Sequence, residues 1–113
     1  MAATPFTLAP SAARTTSGTN IVSGLGEYDK VRIQLNVTAA SGTTPTLDVT
    51  IQDTVDGTNY NTLATFTQKV AVVRDVLTLT NLVGDSVRVS WVVAGTTPSF
   101  TFDVSALAER VNG

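Results

Sequence analysis

Hydrophobic and polar residues alternate with a period of two through most of this chain. Val31, Ile33, Leu35 and Val37 are separated by Arg32, Gln34 and Asn36, and Leu47, Val49 and Ile51 by Asp48 and Thr50. Successive side chains of a strand point to opposite faces, so each run is a strand with one face to bury and one to leave in water. Gly-Thr-Thr-Pro at Gly42–Pro45 carries turn residues, and the two runs are expected to pair as a β-hairpin. The pattern returns at Val87, Val89, Trp91 and Val93 and at Phe100, Phe102 and Val104, around a second Gly-Thr-Thr-Pro at Gly95–Pro98. Trp91, in phase with the valines, is expected in the core with Phe100 and Phe102. The echo between VRIQLNVTAASGTTPTLDV and VRVSWVVAGTTPSFTFDV is compatible with convergent hairpin chemistry and with duplication alike. Either way, the two hairpins would be the central pairs of two facing sheets.

The remaining strands are shorter. Two are expected between Ser11 and Gly26, one from Tyr60 to Thr67, and one from Lys69 to Thr80 with a tight bend at Arg74-Asp75. Tyr60, Leu63 and Phe66 do not keep the period, which a bulge or an edge position would explain. Asn81–Asp85 reads as a turn, and Ser105–Gly113 as a short helical tail or a frayed strand end. No segment holds a helical period. About eight strands with turn signals at this spacing predict an all-β antiparallel β-sandwich, jelly-roll-like, over residues 11–113. Residues 1–10 are expected to be a flexible N-terminal arm that anchors Phe6 and Leu8 on a neighbouring subunit.

Composition narrows the chemistry. The chain has 113 residues, 42% hydrophobic and 14% charged, with a net charge of −2. Its seven basic residues are scattered, so nucleic acid is not an expected partner. With no His and no Cys, the commonest general base, the thiolate nucleophile and the soft metal ligands are all missing. The chain is therefore expected not to be an enzyme and to carry no cofactor. No apolar run approaches the roughly 20 residues of a membrane-spanning helix, and the first residues lack the basic and apolar regions of a secretory signal. A product of the cytoplasm, without a membrane partner, is expected.

Two constellations remain. Asp53, Asp56 and Asn59 supply oxygens around a glycine-containing loop that could hold calcium, although their spacing is not that of an EF-hand and Asp56-Gly57 equally makes an ordinary turn. Tyr28 and Tyr60 are the aromatics that could stack on a sugar ring, or could simply pack at the core rim. The polar faces are built of Thr, Asn, Gln and Ser, which suits strands in general and also suits contact with protein, where desolvating charge is costly.

The stretch DVTIQDTVDGTNYNTLATFT resembles the small all-β structural proteins of tailed bacteriophages, most of all the capsid decoration (cement) proteins. The likeness runs from about Tyr28 to Ala108. It implies a virion protein made in the host cytoplasm, seated on the capsid surface as a homo-oligomer, commonly a trimer, with the major capsid protein as its partner. Contact would fall on Phe6 and Leu8 of the arm and on the turns Thr43, Thr44, Pro45 and Thr96, Thr97, Pro98. A carbohydrate-binding sandwich using Tyr28 or Tyr60, and a tail-tube or head-completion subunit, are the alternatives.

Overall fold

A computed structural model describes residues 2–23, 28, 30–79 and 86–110, with only the backbone at 2, 3 and 110. Its strands are β1 (Ala2–Arg14), β2 (Gly18–Ser23), β3 (Lys30–Thr54), β4 (Tyr60–Thr65), β5 (Val73–Leu79) and β6 (Ser86–Arg110). Twenty-five residues of straight strand, the length of β3 and of β6, would reach roughly 80 Å. The body measures 47 × 28 × 20 Å, so both strands must fold over. They do so at the two Gly-Thr-Thr-Pro stretches.

These stretches are corners within strands and not hairpin turns. Gly42 and Thr44 take φ of 114° and 47°, and Gly95 and Thr97 take 121° and 46°. β3 and β6 stay paired antiparallel through the corner, Ser41 opposite Ser99, Thr43 opposite Thr96, Thr46 opposite Ala94. The expected hairpins are therefore replaced: Val31–Val37 lies against Phe102–Ala108, and Leu47–Ile51 against Val89–Val93. The reason is that β6 carries the same corner as β3, so the two strands turn together and neither needs to reverse onto itself.

Folding at the corners divides the six strands into eight segments in two sheets. One sheet runs β1, the second half of β6, the first half of β3, β5; the other runs β2, the first half of β6, the second half of β3, β4. Numbered along the chain, the segments lie in the orders 1-8-3-6 and 2-7-4-5, which is a jelly roll. The expected all-β antiparallel sandwich is what the chain forms. Val31, Ile33, Leu35, Val37, Phe100, Phe102 and Val104 of one sheet and Leu47, Val49, Ile51, Val87 and Val89 of the other are buried in one core. Each sheet thus buries the apolar face that alternation gave it.

Four local expectations are corrected. The supposed N-terminal arm is strand β1, with Leu8 fully buried because a bulge opposite Val104 and Ser105 turns it inward. Arg74 and Asp75 lie within β5 and not in a bend, since pairing with β3 holds them extended, opposite Asn36 and Leu35. Of the two readings of the chain's end the helical tail is replaced by strand: Ser105 to Arg110 continues β6, paired on both sides as far as Glu109. Trp91 is half-buried at the core margin, its ring edge-on to Phe102 at 5.7 Å. The irregularity expected in the Tyr60 strand is a bulge at Leu63, between the rungs Ile51–Ala64 and Gln52–Thr62. The turn expected at Asn81–Asp85 lies outside the described residues.

Candidate functional site

The corners bring the two predicted contact turns together. Thr43 faces Thr96, and a methyl group placed on Gly42 would lie 2.8 Å from the Thr97 carbonyl oxygen and 2.9 Å from Pro98 Cα. The reciprocal contacts at Gly95, to Thr44 oxygen and Pro45 Cα, are 2.8 and 2.9 Å. Only glycine fits so close an approach at these φ values. Thr43, Thr44, Thr96 and Thr97 are exposed, with Pro45 and Pro98 half-buried beneath them.

Two further connections flank this crossing. Residues 70–72 pass beside the first corner, between the rungs Leu47–Lys69 and Val37–Val73. Residues 15–17 pass beside the second, between Phe100–Arg14 and Trp91–Gly18, where Val93 N donates to Ser17 Oγ at 3.0 Å. One end of the molecule therefore gathers Thr15, Thr16, Ser17, the four corner threonines, and Val70 and Val72, which are 61% and 63% exposed. An open depression of about 360 Å³ runs along Gln68–Val73.

Arg14 and Lys69, the cations that precede the two connections, are both occupied. Arg14 donates from Nη1 to the carbonyls of Ala12 (3.1 Å) and Phe102 (2.6 Å) and from Nη2 to that of Pro10 (2.5 Å), and its guanidinium lies over Trp91 and Phe102 at 4.8 and 4.3 Å. Burial lowers its pKa, against the opposing pull of Asp103. Lys69 is buried; its Nζ donates to Asp75 Oδ2 at 2.6 Å and Thr67 Oγ1 at 2.7 Å. That bond, more than the bare charge, holds the Asp75 carboxyl below its ordinary pKa. The surface between them is hydroxyl and aliphatic.

The other predicted sites come apart. Phe6 is half-buried edge-on to the buried Tyr28 at 5.7 Å, so neither offers a docking side chain or a sugar platform. Tyr60 is covered on one face by Arg88, 3.9 Å from the ring centroid, and Arg88 Nε donates to Gln52 Oε1 at 2.7 Å. Asp53 is buried on β3, whereas Asp56 sits in the exposed turn. Asp56 Oδ1 accepts from the amides of Thr58 and Asn59, each at 2.8 Å, and from Thr54 Oγ1, while Oδ2 accepts from Asn59 Nδ2. These bonds, those to Asn59 foremost, lower the Asp56 pKa. N–H groups converging on the carboxylate close the turn and repel a cation, so the donor set does not fit calcium. Among the described residues no three His, Cys, Asp or Glu gather as metal ligands.

The sequence reading missed the Arg14 and Lys69 corners and the exposed valines. Arg14 and Lys69 were legible as the lone charges in otherwise uncharged stretches, but what they bind is set by the fold.

No family model and no curated protein matches the chain. Among solved structures it is similar to the Clostridium thermocellum endo-1,4-β-D-xylanase 10B CBM22-1–GH10 modules complexed with xylohexaose, with a TM-score of 0.51 and 15% identity over 82% of this chain. The chain spans 19% of the length of that one. At this identity the likeness is one of fold: the chain is an antiparallel β-sandwich of the kind found in that carbohydrate-binding module.

Proposed function

We propose that the chain is a non-catalytic virion structural protein of the capsid-decoration kind, which binds the outside of a tailed-phage shell as an oligomer and stabilises it. The observation that supports this reading is the end where hydroxyls and two exposed valines surround a corner whose two strands approach too closely for any side chain at Gly42 or Gly95. Docking such a surface strips little charge of its water, since Arg14 and Lys69 already have their partners. Strand pairing through the corner limits the ordering cost of association, and many copies on a symmetric shell act together through avidity. The partners are further copies of the chain, as a trimer, and the major capsid protein.

A carbohydrate-binding reading draws support from the fold likeness to a module solved with xylohexaose. Against it, Tyr28 is buried and Tyr60 has one face covered by Arg88, which leaves at most one face of one tyrosine for a pyranose.

Light scattering and co-sedimentation with purified tailed-phage capsid shells test the proposal, on the wild type and on Val70→Asp with Val72→Asp. The wild type is expected to form a closed oligomer and to sediment with shells. The double variant is expected to lose sedimentation while keeping its far-UV signature. A monomer that ignores shells and binds xylohexaose in a titration would favour the sugar reading instead.

A further inference from the structure

The jelly-roll topology has an approximate twofold symmetry of its own, but this chain carries it down to single residues. Thr7, Leu8 and Ala9 recur 55 residues later as Thr62, Leu63 and Ala64. In both places the leucine is the bulged residue, flanked by the rungs Thr7–Ser105 and Ala9–Val104 in one case and Thr62–Gln52 and Ala64–Ile51 in the other. Arg14 opposite Phe100 matches Lys69 opposite Leu47, and Gly18 opposite Trp91 matches Val73 opposite Val37. The corners match in sequence, in φ and in their mutual contacts.

The two units, β1–β2–β3 and β4–β5–β6, are wholly interleaved. Among the described residues every β-ladder joins one unit to the other: β1 and β2 pair with β6, β4 and β5 with β3, and β3 with β6. Neither unit pairs its own strands. The ladder hydrogen bonds of a unit are made by the complementary unit alone, and the strands of both units together close the one core. The described backbone joins them at the turn between Thr54 and Tyr60, themselves Cα partners.

We propose that the chain is a fused pair of equivalent units and that two chains can exchange them, opening the Val55–Asn59 turn so that residues 2–54 of each pair with residues 60–110 of the other. Every ladder of the monomer is then made twice, and only the turn changes; this is the situation in which exchange is a low-cost route to a dimer. The partner is a second copy of this chain. The inference stands on the ladders and does not rest on a capsid role.

The test uses the full chain with Thr19→Cys and Ser90→Cys, which are Cα partners on β2 and β6, in a protein that has no cysteine of its own. The variant is refolded from denaturant at rising concentration, then oxidised and run on a non-reducing gel. Units paired within one chain give an internal cross-link, whereas exchanged units give a covalent dimer at twice 11.8 kDa. Thr19→Cys alone sets the background. The dimer is expected to rise severalfold above background with refolding concentration. It is expected to become the main folded species when Val55–Thr58 are deleted, because a one-residue connection cannot reverse an antiparallel pair. Cross-links that stay internal at every concentration in the chain with its turn intact overturn the proposal, whether or not the deletion variant folds. A deletion variant that is folded and monomeric overturns it too. Association through the hydroxyl-rich end would leave every cross-link internal, so the two readings fail separately.

Discussion

At Arg14 and at Lys69 the same piece of backbone is filled in two ways. Each residue is a cation at the rung before its unit turns the corner, opposite Phe100 in one unit and Leu47 in the other. Arg14 spreads its five-donor fork over three carbonyls and lays its plane on two aromatic rings. Lys69 has a single ammonium, and it meets one carboxylate and one hydroxyl. The difference follows from the neighbours: the first site has Trp91 and Phe102 to offer, the second has Asp75. Equivalent backbone thus holds a cation that is satisfied in two different ways, and the two solutions are expected to respond differently to substitution and to pH.

The comparison breaks most sharply in the core beneath the corners. Phe100→Ala is expected to cost about 4 kcal/mol and its counterpart Leu47→Ala about 3 kcal/mol, read from the denaturant midpoint at constant slope; a large loss at one site beside a small loss at the other would mean that the two are not equivalently packed. Gly42→Ala and Gly95→Ala come next, at roughly 3 kcal/mol each, since an added methyl meets carbonyl oxygen at 2.8 Å with φ positive. The double variant should cost less than the sum, because either change already forces the shared crossing apart. Additive losses would show two independent corners.

Smaller effects separate the cations. Asp75→Asn leaves the buried Lys69 ammonium without its carboxylate and should destabilise by about 2 kcal/mol. Arg14→Lys keeps the charge but gives up the fork and the ring stacking; about 1 kcal/mol and a changed Trp91 fluorescence are expected. Unchanged Trp91 emission would place the guanidinium away from the indole. The mildest signature is acid sensitivity. Asp75, like Asp56, has a folded pKa below its ordinary value. The stabilisation is therefore fully present above the ordinary carboxylate pKa, near 4, and is lost as pH falls through the folded values. Thermal midpoints should be flat from neutrality to about pH 5 and decline below pH 4, less steeply in Asp75→Asn. A decline that begins near neutrality would point to another group.

Much of this protein is local chemistry. Period-two alternation alone tells that Val31, Ile33, Leu47 and Val49 share inner faces, that the domain is all-β, and that no helix competes, because side-chain direction is a property of each strand's own backbone. The absence of His and Cys is equally plain from residue identities. Which strand each one meets is a different kind of information. Val31–Val37 could bury its apolar edge against Leu47–Ile51 or against Phe102–Ala108, and turn residues at Gly42–Pro45 favoured the nearer choice. The longer-range partner won because β6 bends at a matching corner and pairs along the whole of β3. Leu8 shows the same limit. One leucine in an Ala/Thr/Pro-rich stretch looks like a loose arm, and it becomes core only because a bulge across Val104 and Ser105 turns it inward. The recurrence of Thr-Leu-Ala after 55 residues was visible in the chain, but its meaning depended on seeing both copies bulge at the same rung. The hydroxyl-rich end, too, is assembled from four connections far apart in sequence. Faces are written residue by residue; partners are chosen among strands of similar pattern, and that choice is made only when the whole sheet closes over one core.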